Sequence, residues 1–300
     1  VAGNNVVVSS GQFGSGESTF TVYDANTGQE TASFATPFYE FSSDSGTCSG
    51  GVANLVGLSD GRLAGTALGS PAYIDASTGD VELAIGCDQD DPQLAEFVTP
   101  DQISEYGVFA EGPAPTVEQI ERLLQTDLDP SQGFIEGGGD LWWIEADSRT
   151  VEDVRVTLGG VVQFDIATGS VEAVHPLGSR LGEYLVDDDF DLTTIVQAQM
   201  RYIDGRLVIV DTRENGAILT LDPATGAITE TAIELGDGVD YTSADLLAGD
   251  PNAVWLEVSR FTITRDDETG RTSAGPTYIE HFDLATNQID LSLPGDDLFF

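Results

Sequence analysis

Apolar and polar residues alternate on both sides of a short motif that recurs five times along the chain. In each copy an apolar or aromatic residue precedes an aspartate, two small or permissive residues and a threonine follow it, and glycine closes four of the five copies. The aspartates are Asp24, Asp75, Asp165, Asp222 and Asp283. Alternation with a period of two around such a motif predicts a strand, a tight turn and a returning strand.

The chemistry of the motif is that of a turn. An aspartate side chain can accept hydrogen bonds from backbone N–H groups two or three residues further on, which closes the turn. The last position favours a left-handed backbone, which glycine adopts without penalty; the fifth copy has Asn287 there, the next most tolerant residue. We therefore interpret these aspartates as turn formers, although aspartate clusters can also bind metal ions.

The motif returns at intervals of roughly fifty to sixty residues, which is typical of the four-stranded units of a β-propeller. Asp-Gly pairs at Asp60-Gly61 and Asp204-Gly205 precede two copies and predict two-residue hairpins. We predict an all-β fold over residues 1–300: one domain of five blades, each of four antiparallel strands.

The interval between Asp75 and Asp165 is longer, and residues 88–131 interrupt the rhythm. Thr116 and Gln119 form a helix-start pattern, and Val117, Ile120, Leu123 and Leu124 follow at helical spacing. We predict a short helical insertion between blades two and three.

The first unit lacks room for a fourth strand, whereas a short apolar run, residues 298–300, remains after the last unit. Pairing of this tail with the first unit would close the ring and remove exposed sheet edges, as propellers often do. We therefore predict closure of the ring by the two ends of the chain.

Charge narrows the choice of partners. The sequence has 52 acidic residues against 11 basic ones, all of them arginine, and a net charge of −41. A field of this sign disfavours nucleic acids and anionic membranes as partners, and no apolar run is long enough to span a membrane. Both a salt-adapted surface and a surface for cations or a basic partner fit this charge.

Two cysteines, Cys48 and Cys87, fall in successive crossover connections of the predicted propeller, on the same side. Their number and setting argue against zinc or thiol redox chemistry, and we predict a disulfide between them rather than two unpaired thiols. A disulfide favours an extracytoplasmic protein, secreted or at the cell surface, with any anchor in a removed N-terminal segment.

The long connections all belong to the side of the predicted ring that carries the second turns and crossovers. Binding residues concentrate on long loops of rigid scaffolds, so we expect a protein or glycan partner on this side. The densest acidic cluster there, Asp187, Asp189 and Asp191, is a candidate calcium site. His175 and His281 fit structural roles, and no catalytic motif appears.

The apolar-Asp-x-x-Thr-Gly hairpin resembles the repeat of PQQ-like quinoprotein propellers over almost the whole chain. The sequence lacks both the tryptophan that follows the glycine in that family and its vicinal cysteine pair. The resemblance therefore implies a relative by fold, without PQQ and non-catalytic. We expect a binding or scaffold protein; the alternative is a carboxylate-based, glycan-active hydrolase or lyase at the axial channel.

Overall fold

A computed structural model describes most of the chain, and within it the fold is all-β. The described residues are 5–11, 18–36, 39–43, 46–50, 52–67, 70–84, 93–97, 99, 117–118, 121, 124–125, 128, 134–151, 154–177, 198–211, 216–234, 236–250, 252–266 and 270–295. The chain divides into two compact units, Val1–Ser179 and Arg180–Phe300. The predicted single domain stays a prediction.

The first unit contains three antiparallel sheets and one separate hairpin. The first sheet consists of β1 (Asn5–Gly11), β2 (Ser18–Asp24) and β3 (Glu30–Thr36), and the hairpin of β4 (Tyr39–Ser43) and β5 (Gly46–Gly50). The second sheet consists of β6 (Val52–Gly57), β7 (Leu63–Ala67), β8 (Ser70–Ile74) and β9 (Val81–Leu83). The third consists of β10 (Ile135–Gly137), β11 (Asp140–Val151), β12 (Val154–Asp165) and β13 (Ser170–Pro176).

The second unit contains two further sheets. The fourth sheet consists of β14 (Ala198–Ile203), β15 (Arg206–Asp211), β16 (Ala217–Asp222) and β17 (Ala227–Ala232). The fifth consists of β18 (Tyr241–Asp250), β19 (Ala253–Asp266), β21 (Thr277–Asp283) and β22 (Gln288–Pro294), with β20 (Gly270–Ala274) paired to the far end of β19. Neighbouring strands follow chain order, so the prediction of five antiparallel repeat units is confirmed for the described residues.

Every copy of the motif is the turn between the last two strands of its sheet. In all five, the aspartate Oδ1 accepts a hydrogen bond from the N–H two residues later, at 2.7–3.0 Å. The closing residue has a left-handed backbone, for example φ 67° at Gly28 and φ 52° at Asn287. The interpretation of the aspartates as turn formers is confirmed.

Each unit has its own apolar core, made of side chains from facing sheets. In the first unit Leu141, Trp143 and Phe164 pack with Tyr73 of the second sheet. In the second unit the cluster joins strands of the fourth and fifth sheets: Val208, Val210, Ile218, Val254, Leu256, Val258 and Phe282. Interdigitation of this kind fixes how neighbouring sheets face each other within a unit.

Side chains also connect the turn of one sheet to the sheet before it. The Tyr73 hydroxyl donates to the backbone carbonyl of Ile166 at 3.3 Å. The Arg206 guanidinium donates to the carbonyl of Leu284 at 3.2 Å. Both acceptor carbonyls belong to the residue directly after the motif aspartate. The same turn position therefore links two neighbouring sheets in each unit.

The two ends of the sheets differ. We call the end that carries the first and third turns the turn end, and the end with the second connections and crossovers the loop end. Among the described residues, three two-stranded ribbons lie at loop ends: 39–43 with 46–50, the distal halves of β11 and β12 (146–151 with 154–159), and the distal part of β19 with β20 (262–266 with 270–274). We call these the loop-end ribbons. The sequence predicts long connections at residues 35–51 and 265–276 but none at 146–159, and it predicts no ribbon.

The predicted insertion at 88–131 is described only in part. Residues 94–96 form a short 3-10 helix, and residues 117, 118 and 121 have helical backbone. Leu124 and Leu128 are buried in the core of the first unit, whereas Val117 is 62% exposed. Of the residues at helical spacing, Leu124 is therefore a core residue and Val117 is not.

The first sheet has three strands in the described part of the chain, as the sequence predicts. The tail that would close the ring, residues 298–300, lies outside the described residues. No helix among the described residues is long and apolar enough to cross a membrane.

Candidate functional site

Most of the predicted site residues fall outside the described residues. This applies to Asp187, Asp189 and Asp191 and to Cys87; Cys48 lies on β5, opposite Phe41. The disulfide and the calcium site therefore stay predictions. Among the described residues, no group of three His, Cys, Asp or Glu side chains has the geometry of a metal site.

The two histidines take part in packing and local hydrogen bonds. His175 on β13 is buried beside Trp142, and its Nε2 lies 3.1 Å from Gln163 Oε1. Burial lowers the pKa of His175, which favours the neutral ring. His281 on β21 lies 2.6 Å from Asp290 and stacks near Trp255.

The shifted carboxyl groups mostly report turn geometry. The backbone N–H of Thr27 lowers the pKa of Asp24, the Ser77 hydroxyl lowers that of Asp75, and the N–H of Ala167 lowers that of Asp165. Burial raises the pKa of Asp140 on β11, against a hydrogen bond from Gln163. Hydrogen bonds to the charged carboxylate explain the first three pKa shifts. These shifts therefore result from the turns and do not indicate a catalytic site.

One residue breaks the burial pattern of the repeat. Three positions before the motif aspartate, the second, third and fourth sheets have Ala72, Val162 and Leu219, all fully buried and apolar. The fifth sheet has Glu280 there, with only 1% of its surface exposed. The first sheet has the half-buried Thr21 there. A buried carboxylate at a position that three other sheets fill with hydrocarbon is a departure that calls for an explanation.

Glu280 is held by β19 and β22. Its Oε1 lies 2.8 Å from the Arg260 guanidinium and accepts a hydrogen bond from the Ser292 hydroxyl at 3.0 Å. Arg260 also stacks over the Tyr278 ring at 4.8 Å and donates to the Glu234 carbonyl at 3.4 Å. Arg260 lies on the same face of β19 as Val258, two residues further on. The ion pair is therefore a polar end to the apolar face that Val258 and its neighbours form.

The second carboxylate oxygen has no such partner. Glu280 Oε2 is buried and makes no hydrogen bond to any described residue. An acceptor left in this state costs about 1–3 kcal/mol of stability.

Asn287 is the second departure from the repeat, and it shares this property. It occupies the place of the motif glycine, and its Oδ1 is also buried without a hydrogen bond to a described residue. Its backbone carbonyl accepts a hydrogen bond from the Thr231 hydroxyl of β17 at 3.2 Å, which ties this turn to the fourth sheet. Both exceptional residues of the fifth sheet thus present an unpaired oxygen.

Glu280 and Asn287 both line one groove between β17 and the last strands of the fifth sheet. It has a volume of about 690 Å³ and is lined by Glu230, Thr231, Glu234, Arg260, Glu280 and Asn287, among others. We call it the β17–β22 groove. Its size is within the range of small-molecule sites, and its charged lining residues are three glutamates and one arginine.

A comparable depression in the first unit lacks these features. It has a volume of about 440 Å³ and is lined by Asp60, Arg62 and Asp75. Arg62 is engaged by Asp60 at 2.7 Å and stacks over Tyr73 at 4.6 Å. Burial raises the pKa of Tyr73 to about 12, so its hydroxyl remains a donor to the next turn. The polar groups here hold the fold together.

Sequence analysis did not identify the β17–β22 groove. A signal was available, because aligning the strands before the five aspartates places Glu280 against Thr21, Ala72, Val162 and Leu219, none of which is charged. Without that alignment, nothing distinguishes Glu280 from the rest of the 52 acidic residues in the sequence. Asn287 was noted only as a tolerated substitute for glycine.

Fold and groove together define the class of this chain: an all-β protein of repeated antiparallel sheets that carries a polar groove in its second unit. No protein-family model matches the chain, and no curated protein matches it.

The solved structures that are similar to it include two proteins. One is TolB from Acinetobacter baumannii, with 11% identity over 98% of this chain and 80% of that chain and a TM-score of 0.31. The other is the dihydro-heme d1 dehydrogenase NirN in complex with DHE, with 12% identity over 97% of this chain and 72% of that chain and a TM-score of 0.25. Likenesses of this size assign no function.

Proposed function

We propose that the five sheets are the blades of a β-propeller, and that the protein is a non-catalytic binding or scaffold protein. Its partner, a protein or a glycan, is recognised at the loop ends of the sheets. The sequential antiparallel order of every sheet supports the propeller, because that architecture repeats such units around an axis. A crystal structure in which the sheets do not stand radially would contradict this part.

The loop-end ribbons are the observation that carries the binding role. Residues 146–151 pair with 154–159, and residues 262–266 pair with 270–274; in the described part of the chain these segments pair with no other strand. Ribbon edges offer backbone N–H and C=O groups that can add a strand from a partner. First and third turns are short by comparison, so recognition at the loop end is favoured over the turn end.

Net charge supports the choice of partner. A protein of charge −41 attracts basic surfaces and repels anionic ones over about one Debye length. The proposed partner therefore has a basic or neutral contact surface. A disulfide between Cys48 and Cys87, calcium at Asp187, Asp189 and Asp191, and an extracytoplasmic location complete the proposal.

Site-specific photo-cross-linking in the native host tests the loop-end assignment. A photoreactive residue at Thr150, near the tip of the β11–β12 ribbon, is compared with one at Ala224, in the fourth motif turn. We expect adducts from Thr150 and none from Ala224. Unlabelled protein should compete for them, whereas a variant with residues 147–158 replaced by Asn-Gly should not. Adducts from Ala224 alone, or from neither position, would overturn the assignment.

A further inference from the structure

We propose that the outer edge of β22, the last strand of the fifth sheet, pairs with an extended segment of a partner protein in which apolar and basic residues alternate. We call this site the β22 edge; it consists of residues 288–294. Strand addition of this kind takes its affinity from backbone hydrogen bonds and its specificity from alternate side chains. The site is separate from the loop-end ribbons and does not rest on the proposed function.

The first step of the argument is the free edge. β22 pairs with β21 on one side, and in the described part of the chain no strand pairs with its other side. An unpaired strand edge presents a row of backbone N–H and C=O groups, which can template the addition of another strand. Pro294 lacks an N–H, so it marks the end of the usable edge.

The second step is exposure. Every residue from Asp290 to Pro294 is exposed, so this part of β22 is covered on neither face of the sheet. Leu291 is 42% and Leu293 37% exposed, whereas the described residues of the other four last strands include no exposed large apolar side chain. Edge strands usually carry charges against pairing, but Asp290 is the only charged residue of β22, and His281 holds it at 2.6 Å.

The third step gives the pattern of the partner segment. Leu291 and Leu293 lie on one face of the sheet, and Ser292, directly opposite Glu280, lies on the other. Glu280 lines the β17–β22 groove, as does Gln288 of β22 itself, so the Ser292 side of the strand is the groove side. A strand added beside β22 therefore alternates between the apolar Leu291 side and the groove side.

The fourth step is charge, which selects basic residues for the groove side. The groove is lined by Glu230 and Glu234 besides Glu280, and the arginine among its lining residues, Arg260, is held by Glu280 at 2.8 Å. Basic side chains on this side of an added strand thus meet an excess of carboxylates. The net charge of −41 acts in the same direction, since it favours a basic segment over a second copy of this acidic chain.

A peptide titration at 0.15 M NaCl, followed by backbone amide NMR, tests the proposal. The probe is acetyl-Lys-Val-Lys-Val-Lys-Val-Lys-amide, which matches the 7 residues of β22. One control peptide has glutamate in place of lysine, and the other is the lysine peptide N-methylated throughout, which keeps the charge but loses the backbone donors. We expect saturable one-to-one shifts at residues 290–293 with the lysine peptide, and binding about tenfold or more weaker with either control.

Variants assign the binding to β22. Leu291→Lys/Leu293→Lys replaces the apolar neighbours of the peptide valines by charged groups, so binding should weaken about fivefold or more. Ser33→Lys/Ala35→Lys is the matched control: it makes the same change of charge at two exposed positions of β3, the last strand of the first sheet. This control should bind like the unmodified protein. Both variants change only exposed residues, so both should fold.

Four outcomes would overturn the proposal. They are the absence of saturable shifts with the lysine peptide, equal binding of either control peptide, unchanged binding by Leu291→Lys/Leu293→Lys, and a monomer–dimer equilibrium of the unmodified protein that this variant abolishes. The last outcome, measured by sedimentation equilibrium, would assign the edge to a second copy of the chain. The cross-links from Thr150 are a separate measurement, so failure here leaves the proposed function in place.

Discussion

The Arg260–Glu280 pair gives the most stringent test of the fifth sheet, because the two residues should respond very differently to single and double replacement. In Arg260→Leu, Glu280 keeps its Ser292 hydrogen bond but loses the guanidinium at 2.8 Å. Its side chain is only 2% exposed. Removal of one partner of a buried ion pair costs about 3–5 kcal/mol, because the remaining charge is left uncompensated. We expect a loss in this range.

The double variant Arg260→Leu/Glu280→Leu should recover that loss. It places leucine where the fourth sheet has the buried Leu219, and it removes the unpaired Glu280 Oε2 together with the desolvation cost of both charges. Hydrophobic replacement of a buried ion pair is often neutral or stabilising by about 1–4 kcal/mol. The double variant should therefore unfold at the same urea concentration as the unmodified protein, or a higher one.

Urea-dependent hydrogen exchange, followed by mass spectrometry on peptides from β19 to β22, reports the free energy of unfolding of this sheet alone. Peptides from the first unit are the internal control and should not change. Our reasoning fails if Arg260→Leu is neutral, since the carboxylate would then be solvated. It also fails if the double variant is as unstable as the single one, since the pair would then contribute packing that leucine cannot replace.

Two further predictions concern the motif turns. Gly79→Ala should destabilise the protein by about 1–3 kcal/mol more than Gly28→Ala, as measured by thermal unfolding. Both glycines have a left-handed backbone, but only at Gly79 would an added Cβ meet the Phe34 ring, at 2.9 Å. Equal losses of stability would contradict this placement of Phe34. The folded-state pKa of Asp24 is lowered, so its contribution to stability is present above the unfolded value of about 3.9 and is lost as the pH falls through the folded value. Urea midpoints between pH 5 and pH 2 should therefore fall less steeply in Asp24→Asn than in the unmodified protein, and parallel curves would contradict the assignment.

The strands and turns were predictable from local chemistry. An aspartate that accepts from the N–H two residues later, with glycine at the left-handed position, specifies its turn within five residues, and all five copies fold as expected. Asp204-Gly205 likewise forms the expected two-residue turn, with φ values of 48° and 78°. The same prediction for Asp60-Gly61 is wrong, because β6 ends at Gly57 and β7 begins at Leu63, so the connection is longer. Alternation of apolar residues then places the flanking strands.

The groove was not predictable in the same way, because it depends on residues distant in sequence. Arg260 reaches Glu280 across two neighbouring strands, and Thr231 reaches Asn287 from another sheet. No local pattern shows that these side chains meet, or that two oxygens remain unpaired. The loop-end ribbons were missed for a related reason. Residues 146–151 have no clear apolar alternation, and the alternation of Val154, Val156 and Leu158 does not show which strand they pair with; only the cross-strand register shows that these segments continue β11 and β12.

The bonds from Tyr73 to Ile166 and from Arg206 to Leu284 bear on how such a chain can grow or recombine. In these two turns the carbonyl accepts from the preceding sheet, so a duplicated module of this kind would carry its acceptor along but depend on its upstream neighbour for the donor. A tyrosine is the donor at one junction and an arginine at the other. The donor must therefore be a long side chain with a hydrogen-bond donor at its end, but it need not be one particular residue type. Variants with shuffled or added repeat units should therefore be selected first for a donor side chain in the upstream sheet at each junction. Overall sequence similarity between the units is a secondary criterion.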